Sequence, residues 1–143
     1  GTETVPLRIA RHSENTPAVA AWLAKQPAVT RVIHPSQQTG VQRERATRYL
    51  AGGEGGMVGF ELAKGRDAGR RFIDALKLFY HVANIGDARS LAIHPASTTH
   101  SQLSVEELRA TGVTEGYVRL AVGIEHIDDI LADLEQAMAA SAA

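Results

Sequence analysis

The chain has 143 residues, 44% hydrophobic and 22% charged, which is the composition of one globular domain and excludes a disordered chain. Its formal net charge of -1 at pH 7 provides no broad field for binding nucleic acid or anionic lipid. The absence of cysteine excludes disulfides, thiolate metal sites and a cysteine nucleophile.

The N-terminal part predicts a long helix, a strand and a polar helix. Residues 4–25 carry apolar side chains at helical spacing, and we expect a helix bent or interrupted near Pro17 and closed at Gln26-Pro27. We divide the chain into residues 1–28, a long helix, and residues 29–143, an α+β domain. Residues 30–34 predict a strand, and residues 41–50 predict a helix.

Four glycines in the run AGGEGG, at 51–56, suggest either a phosphate-binding loop or a tight connection. A P-loop requires Lys-Ser or Lys-Thr and then a helix, whereas residues 57–62 alternate as a strand, so we favour the connection. Residues 66–79 predict an amphipathic helix, which would include Lys77. Residues 81–85 and 90–94 predict short strands.

The C-terminal part begins with a capping box, in which Ser104 precedes a helix and Glu107 follows three residues later. Gly112 should end that helix in the left-handed conformation. Residues 117–124 predict the longest strand, and an apolar stripe predicts a closing helix through Ile127, Ile130, Leu131, Leu134 and Met138. The sum is an α+β fold, a mostly antiparallel sheet of four or five strands covered by helices.

Arg119 is the first candidate for a functional residue. Alternation in YVRLAVGI puts the aliphatic side chains from Val118 to Ile124 on one face, and Arg119 with Tyr117 and small residues on the other. A guanidinium in this position has two ordinary uses. It forms a surface ion pair with a glutamate, or its planar fork binds the carboxylate of a ligand.

The run HPASTTH, at 94–100, is a second candidate because two histidines bracket three hydroxyl groups. Its spacing matches no zinc site and no carboxylate is near in sequence, so we expect a hydrogen-bonded loop and no metal. No G-x-S-x-G or equivalent nucleophile turn occurs. The residue patterns alone therefore assign no reaction.

Residues 84–137 resemble the C-terminal domain of the Cys/Met-metabolism family of pyridoxal-phosphate (PLP) enzymes, and within it the O-acetylhomoserine sulfhydrylases. The resemblance rests on N-I-G-D-A-R-S-L at 84–91, on HPASTTH and on R-L-A-V-G-I-E at 119–125. It implies that Arg119 binds the α-carboxylate of the substrate, beside Asn84 and Thr99. Asn84 and Thr98 favour the sulfhydrylase branch, since the lyases of the family usually have Met at the latter position.

The resemblance also implies the fold, cofactor and partners. The fold is that of the small C-terminal domain of fold-type-I PLP enzymes, and the substrates are O-acetylhomoserine and sulfide, which give homocysteine and acetate. Such enzymes hold the PLP aldehyde on a lysine, but Lys25, Lys64 and Lys77 all lack the Ser-x-Thr-Lys context of the family. The resemblance therefore implies that residues 1–28 lead in from a missing upstream domain that binds PLP, and we expect no catalytic residue in this chain.

We further expect a homotetramer of the full-length enzyme. A cytoplasmic location follows from the lack of a signal-peptide layout and of any apolar run near the roughly 20 residues of a membrane span. Two alternatives stay open. One is another reaction of the family, that of methionine γ-lyase, cystathionine γ-synthase or O-succinylhomoserine sulfhydrylase, and the other is a free-standing α+β module that binds an amino acid.

Overall fold

The computed structural model describes residues 1–143, which form five α-helices and five strands. The helices are α1 (Val5–Leu23), α2 (Gly40–Tyr49), α3 (Gly65–Ala75), α4 (Val105–Ala110) and α5 (Ile127–Ala142). The strands are β1 (Val29–Ile33), β2 (Met57–Leu62), β3 (Tyr80–His81), β4 (Leu91–Ile93) and β5 (Tyr117–Ala121). No helix combines the length and the apolar character needed to cross a bilayer.

The five strands form one sheet in the order β1-β2-β5-β4-β3. All neighbours are antiparallel except β3 and β4, which pair in parallel. The α+β prediction of a mostly antiparallel, helix-covered sheet is therefore confirmed. The sheet places β5 at its centre, with β2 on one side and β4 on the other.

One face of the sheet carries the hydrophobic core. Helices α1, α3 and α5 pack there, and 18 buried side chains form one cluster with alternate residues of β2 and β5. Phe60 of β2 and Phe72 of α3 meet edge to face, with ring centroids 5.3 Å apart. The predicted apolar face of β5 is confirmed for Val118, Leu120 and Val122, which all belong to this cluster.

The predicted end of β5 was wrong. The strand stops at Ala121, so β2 with six residues is the longest strand. Beyond that point the backbone amides of Val122 and Ile124 donate to Gly56 and Ala88, outside the sheet ladder. Ile124 is consequently 40% exposed and does not join the core.

The helix predicted for residues 66–79 also ends early, and Lys77 lies outside it. After Ala75 the chain becomes extended at Leu76, with ψ of 138°. The carboxylate of Asp133, on α5, accepts hydrogen bonds from the backbone amides of the next three residues, 77, 78 and 79, at 2.9, 2.8 and 3.2 Å. This side chain replaces the hydrogen bonds that another helical turn would have made.

Local signals in the sequence were more reliable elsewhere. Both hydrogen bonds of the capping box between Ser104 and Glu107 are present, and Gly112 has a φ of +80°.

The predicted strand at 81–85 was wrong, since β3 ends at His81. Helix α1 runs through Pro17 without interruption, and its second half contributes to the same core as the sheet.

We expect Leu134→Ala to lower the free energy of unfolding by about 2–5 kcal/mol, since Leu134 is fully buried and its loss opens a cavity between α5 and the sheet. Leu7→Ala is the matched control because Leu7 is 74% exposed, and its change should stay within about 0.5 kcal/mol. Urea denaturation of the three proteins gives both values. Equal stability of the Leu134 variant and the parent would show that α5 is not docked on the core.

Candidate carboxylate-binding site

Arg119 lies in the middle of the central strand, on the face opposite to the core cluster. Its cross-strand partners are Gly59 on β2 and Ile93 on β4. The side chain is half-buried, and its Nε atom is buried without a hydrogen-bond partner. No carboxylate lies within 4.0 Å of the guanidinium. The alternative of an ordinary glutamate ion pair for Arg119 is therefore wrong.

An acid on the same face of the neighbouring strand forms an ion pair with another arginine. Glu61 pairs with Tyr117 across β2 and β5 and with Arg31 across β1 and β2, and its carboxylate is 3.7 Å from the Arg31 guanidinium. A β-carbon at Gly59 would lie 2.5 Å from the hydroxyl of Tyr117, so the tyrosine ring occupies the space above that glycine. Burial raises the pKa of Tyr117, and the positive charge of Arg119 opposes this rise.

Asn84 and Thr99 lie on the two segments that flank β4. Asn84 is exposed, and its Oδ1 accepts a hydrogen bond from the backbone amide of Ile85 at 2.9 Å. It lines a cleft of about 570 Å³ against the start of α1, where Arg8 donates to the Gly86 carbonyl. Thr99 is also exposed and contacts the ring of its neighbour His100. No hydrogen bond joins either residue to Arg119, so their shared role stays a prediction.

A hydrogen-bond network ties the end of β5 to α1 and to the start of β4. We call it the Glu125 network, and its members are Asn15, Ser90, Gly123 and Glu125. The Asn15 amide donates to the carbonyls of Gly123 and Glu125 at 3.1 and 3.0 Å. The Glu125 carboxylate accepts from the amide and hydroxyl of Ser90 at 2.7 and 2.9 Å, and the Ser90 hydroxyl accepts from the amide of Gly123 at 2.8 Å.

Sequence reasoning did not find these four positions as a group. Glu125 closes the R-L-A-V-G-I-E run but received no role, and Ser90 was only the start of a predicted strand. Asn15 is 110 residues away from Glu125 in sequence, and within helix α1 nothing in the apolar spacing distinguishes it from the other polar residues. Its burial, with 2% exposed, is the structural sign that it matters.

The HPASTTH run is a hydrogen-bonded loop, as predicted. His94 is fully buried, its Nε2 donates to the Glu115 carbonyl at 2.6 Å, and its Nδ1 accepts from the Ser97 hydroxyl at 2.9 Å. Burial lowers the pKa of His94, which favours the neutral ring that this pattern requires. A side chain at Gly69 would lie 2.5 Å from Nε2, so the ring packs directly on α3.

The chain offers no lysine next to Arg119. Lys25, Lys64 and Lys77 are all exposed, and Lys64 donates to the carbonyl of Ala142 at the end of α5. None of the three lysines is a cross-strand neighbour of Arg119.

The sequence pattern of the family described as Cys/Met metabolism PLP-dependent enzyme matches residues 1–139. The chain belongs to this family. Members depend on PLP, and a solved structure similar to this chain contains N'-pyridoxyl-lysine-5'-monophosphate. That structure, assigned as an O-acetylhomoserine (thiol)-lyase of Campylobacter jejuni, has a TM-score of 0.86 and 41% identity, over 96% of this chain and 32% of its own.

Two curated relatives show which activities lie nearby in the family. An O-acetyl-L-homoserine sulfhydrylase of Thermus thermophilus is 50% identical over 97% of this chain and 33% of its own length. An L-methionine gamma-lyase of Pseudomonas putida is 47% identical over 99% of this chain and 35% of its own length. The chain thus spans about a third of the length of the relatives that it matches.

We expect the free energy of unfolding to fall as the pH is lowered from 7 towards 5. Burial lowers the pKa of both His34 and His94 in the folded chain. The stability that their neutral forms contribute is thus present above the unfolded pKa of about 6.5 and is lost as the pH falls through the folded pKa. Each histidine adds at most about 1.4 kcal/mol per pH unit to the slope.

Urea denaturation at several pH values measures this slope. His94→Asn should reduce it. His126→Asn is the control for the substitution itself and should leave the stability at pH 7 within about 0.5 kcal/mol of the parent, because His126 is exposed at the start of α5 and asparagine also caps a helix there. An unaltered slope in the His94 variant would contradict the assignment of a neutral buried imidazole.

Proposed function

We propose that this chain positions the substrate carboxylate in a PLP-dependent O-acetylhomoserine sulfhydrylase. The single observation that carries the proposal is the half-buried guanidinium of Arg119, which has a free buried Nε and no acidic partner. Leaving such a group without an acceptor is costly. A ligand carboxylate provides that acceptor, because both of its oxygens fit the planar fork of an arginine.

The contribution of Arg119 is orientation. A carboxylate held at two points has a fixed plane and a fixed direction of its bond to Cα. A second point of attachment, on the amino group of the substrate, then sets the direction of the Cα–H bond. Positioning of this kind supplies a large part of many enzymatic rate enhancements. PLP, when bound, supplies the electron withdrawal that makes the Cα–H bond acidic. We assign Asn84 and Thr99 to the same substrate, on either side of β4.

We further propose that the cofactor-binding lysine belongs to another part of a longer protein. Two findings support this. The chain spans about a third of the length of its relatives, and none of its three exposed lysines is a cross-strand neighbour of Arg119. We also propose that the full enzyme is a cytoplasmic homotetramer. In it, this domain meets the cofactor domain across the face of Arg119. In that arrangement the groups that break and form bonds lie outside residues 1–143.

The choice of reaction within the family rests on two positions. Asn84 and Thr98 match the sulfhydrylase form of their motifs, and a sulfhydrylase of Leptospira meyeri is 52% identical over 96% of the chain. The methionine γ-lyase at 47% identity makes elimination the second candidate. In replacement the external nucleophile is sulfide, whereas elimination proceeds without it.

We expect Arg119→Lys in the full-length enzyme to reduce kcat/KM for O-acetylhomoserine by about 10- to 100-fold, equal to about 1.5–3 kcal/mol, because lysine keeps the charge but not the fork. The melting temperature should hardly change, since Arg119 lies off the core face. Arg48→Lys, at an exposed position of α2, is the control and should leave kcat/KM unchanged. Unchanged kinetics with a large fall in melting temperature would make Arg119 structural.

We also expect the full-length enzyme to form homocysteine from O-acetylhomoserine in a sulfide-dependent manner, and the isolated chain to form none and to retain no PLP after dialysis. Product analysis with and without sulfide separates replacement from elimination. Calorimetric titration of the isolated chain with homoserine derivatives tests for a free-standing module. Tight binding by the isolated chain, or turnover independent of sulfide, would contradict the proposed function.

A further inference from the structure

A cleft of about 330 Å³ opens on the side of the sheet opposite to Arg119. It lies between α3, the end of β3 and residues 96–101. His81 pairs with Ala92, whose side chain belongs to the helix-covered face, so His81 projects towards α3. The cleft therefore lies on the other face of the sheet from Arg119, and neither Asn84 nor Thr99 is among its lining residues.

Three cationic or titratable nitrogen groups converge on this cleft. Arg66 and Arg70 lie one turn apart on α3, and His81 faces them from β3. The positive charges of Arg66, Arg70 and His81 also act on the buried His94, where each contributes to lowering the pKa. Neither Arg70 nor His81 has an ion-pair partner within 4.0 Å, whereas Arg66 pairs with Glu115 at 3.2 Å through its Nε alone.

His94 connects two walls of the cleft by hydrogen bonds. Its Nδ1 accepts from Ser97 on the loop side, and its Nε2 donates to the carbonyl of Glu115, the residue whose side chain holds Arg66. The hydroxyl groups of Ser97 and Thr98 both donate to His94, Ser97 to Nδ1 and Thr98 to the backbone carbonyl at 2.9 Å. Neither hydroxyl proton is therefore available to a ligand. Ser101 is the hydroxyl in the lining that has no hydrogen-bond partner.

The chemistry of this lining selects a small anion. The free donors of the lining are the Arg70 guanidinium, the terminal nitrogens of Arg66, the His81 ring and the Ser101 hydroxyl. Asp74 is the only acid among the lining residues, and it has no ion pair. Guanidinium groups together with a hydroxyl donor are typical of sites for tetrahedral oxyanions, and here Arg70, His81 and Ser101 are exposed to solvent. We propose that this cleft binds an oxyanion of the phosphate and sulfate class, free or as the end group of a small molecule.

The test follows the backbone amide shifts of the ¹⁵N-labelled chain by NMR while sodium phosphate is added against sodium chloride at equal ionic strength. We expect saturable shifts at residues 97–101 and along α3. Arg70→Gln should weaken the apparent affinity by about tenfold or more. Asp74→Asn should strengthen it by about two- to fivefold, because it removes a nearby negative charge. Arg45→Gln, an exposed arginine on α2, should leave it unchanged.

Sulfate and glycerol phosphate are the comparison ligands. Binding of sulfate as tight as that of phosphate supports a site for the free ion, and tighter binding of glycerol phosphate supports a site for a phosphate end group. Shifts that grow linearly without saturation, or an affinity that is the same in Arg70→Gln and the parent, would overturn the proposal. Since the isolated chain is titrated without substrate or PLP, the result is independent of the proposed enzymatic function.

Discussion

The Glu125 network is the constraint on which the candidate site depends. The carboxylate of Glu125 holds the amide and hydroxyl of Ser90, and the Asn15 side chain holds the backbone just beyond β5. These contacts fix the segment that enters β4 against the strand that carries Arg119. Because the network joins buried polar groups, removal of one member leaves its partners unsatisfied, at about 1–3 kcal/mol for each group. The network is therefore what sets the spacing between residues 84–90 and β5.

Much of this fold follows from local sequence pattern, and the failures share a cause. Alternation predicted β2 correctly from Met57 to Leu62 and the core face of β5, and the capping box predicted the start of α4. The end of α3 was missed because Asp133 takes over the backbone amides of residues 77–79 from more than 50 residues away in sequence. The end of β5 was missed because its next amides bond to Gly56 and Ala88. Contacts between residues far apart in sequence produce no periodic pattern of apolar side chains, so the sequence alone does not predict them.

The candidate site shows the same division between local and long-range information. Alternation alone placed Arg119 off the apolar face, and a motif resemblance proposed its role. Glu61, on the same face of β2, has its carboxylate 3.7 Å from Arg31, and only the register of β1 and β2 reveals that pairing. The proposed substrate positioning rests on two observations, the buried and unpartnered Nε of Arg119 on the central strand and the membership of a PLP-dependent family.

A crystal structure of the full-length protein with PLP and an unreactive homoserine derivative tests this account most directly. We predict that both carboxylate oxygens of the derivative accept hydrogen bonds from Arg119 at about 2.7–2.9 Å, with Asn84 beside them. The derivative bound elsewhere, with Arg119 turned onto a protein carboxylate such as Glu61, would contradict the account.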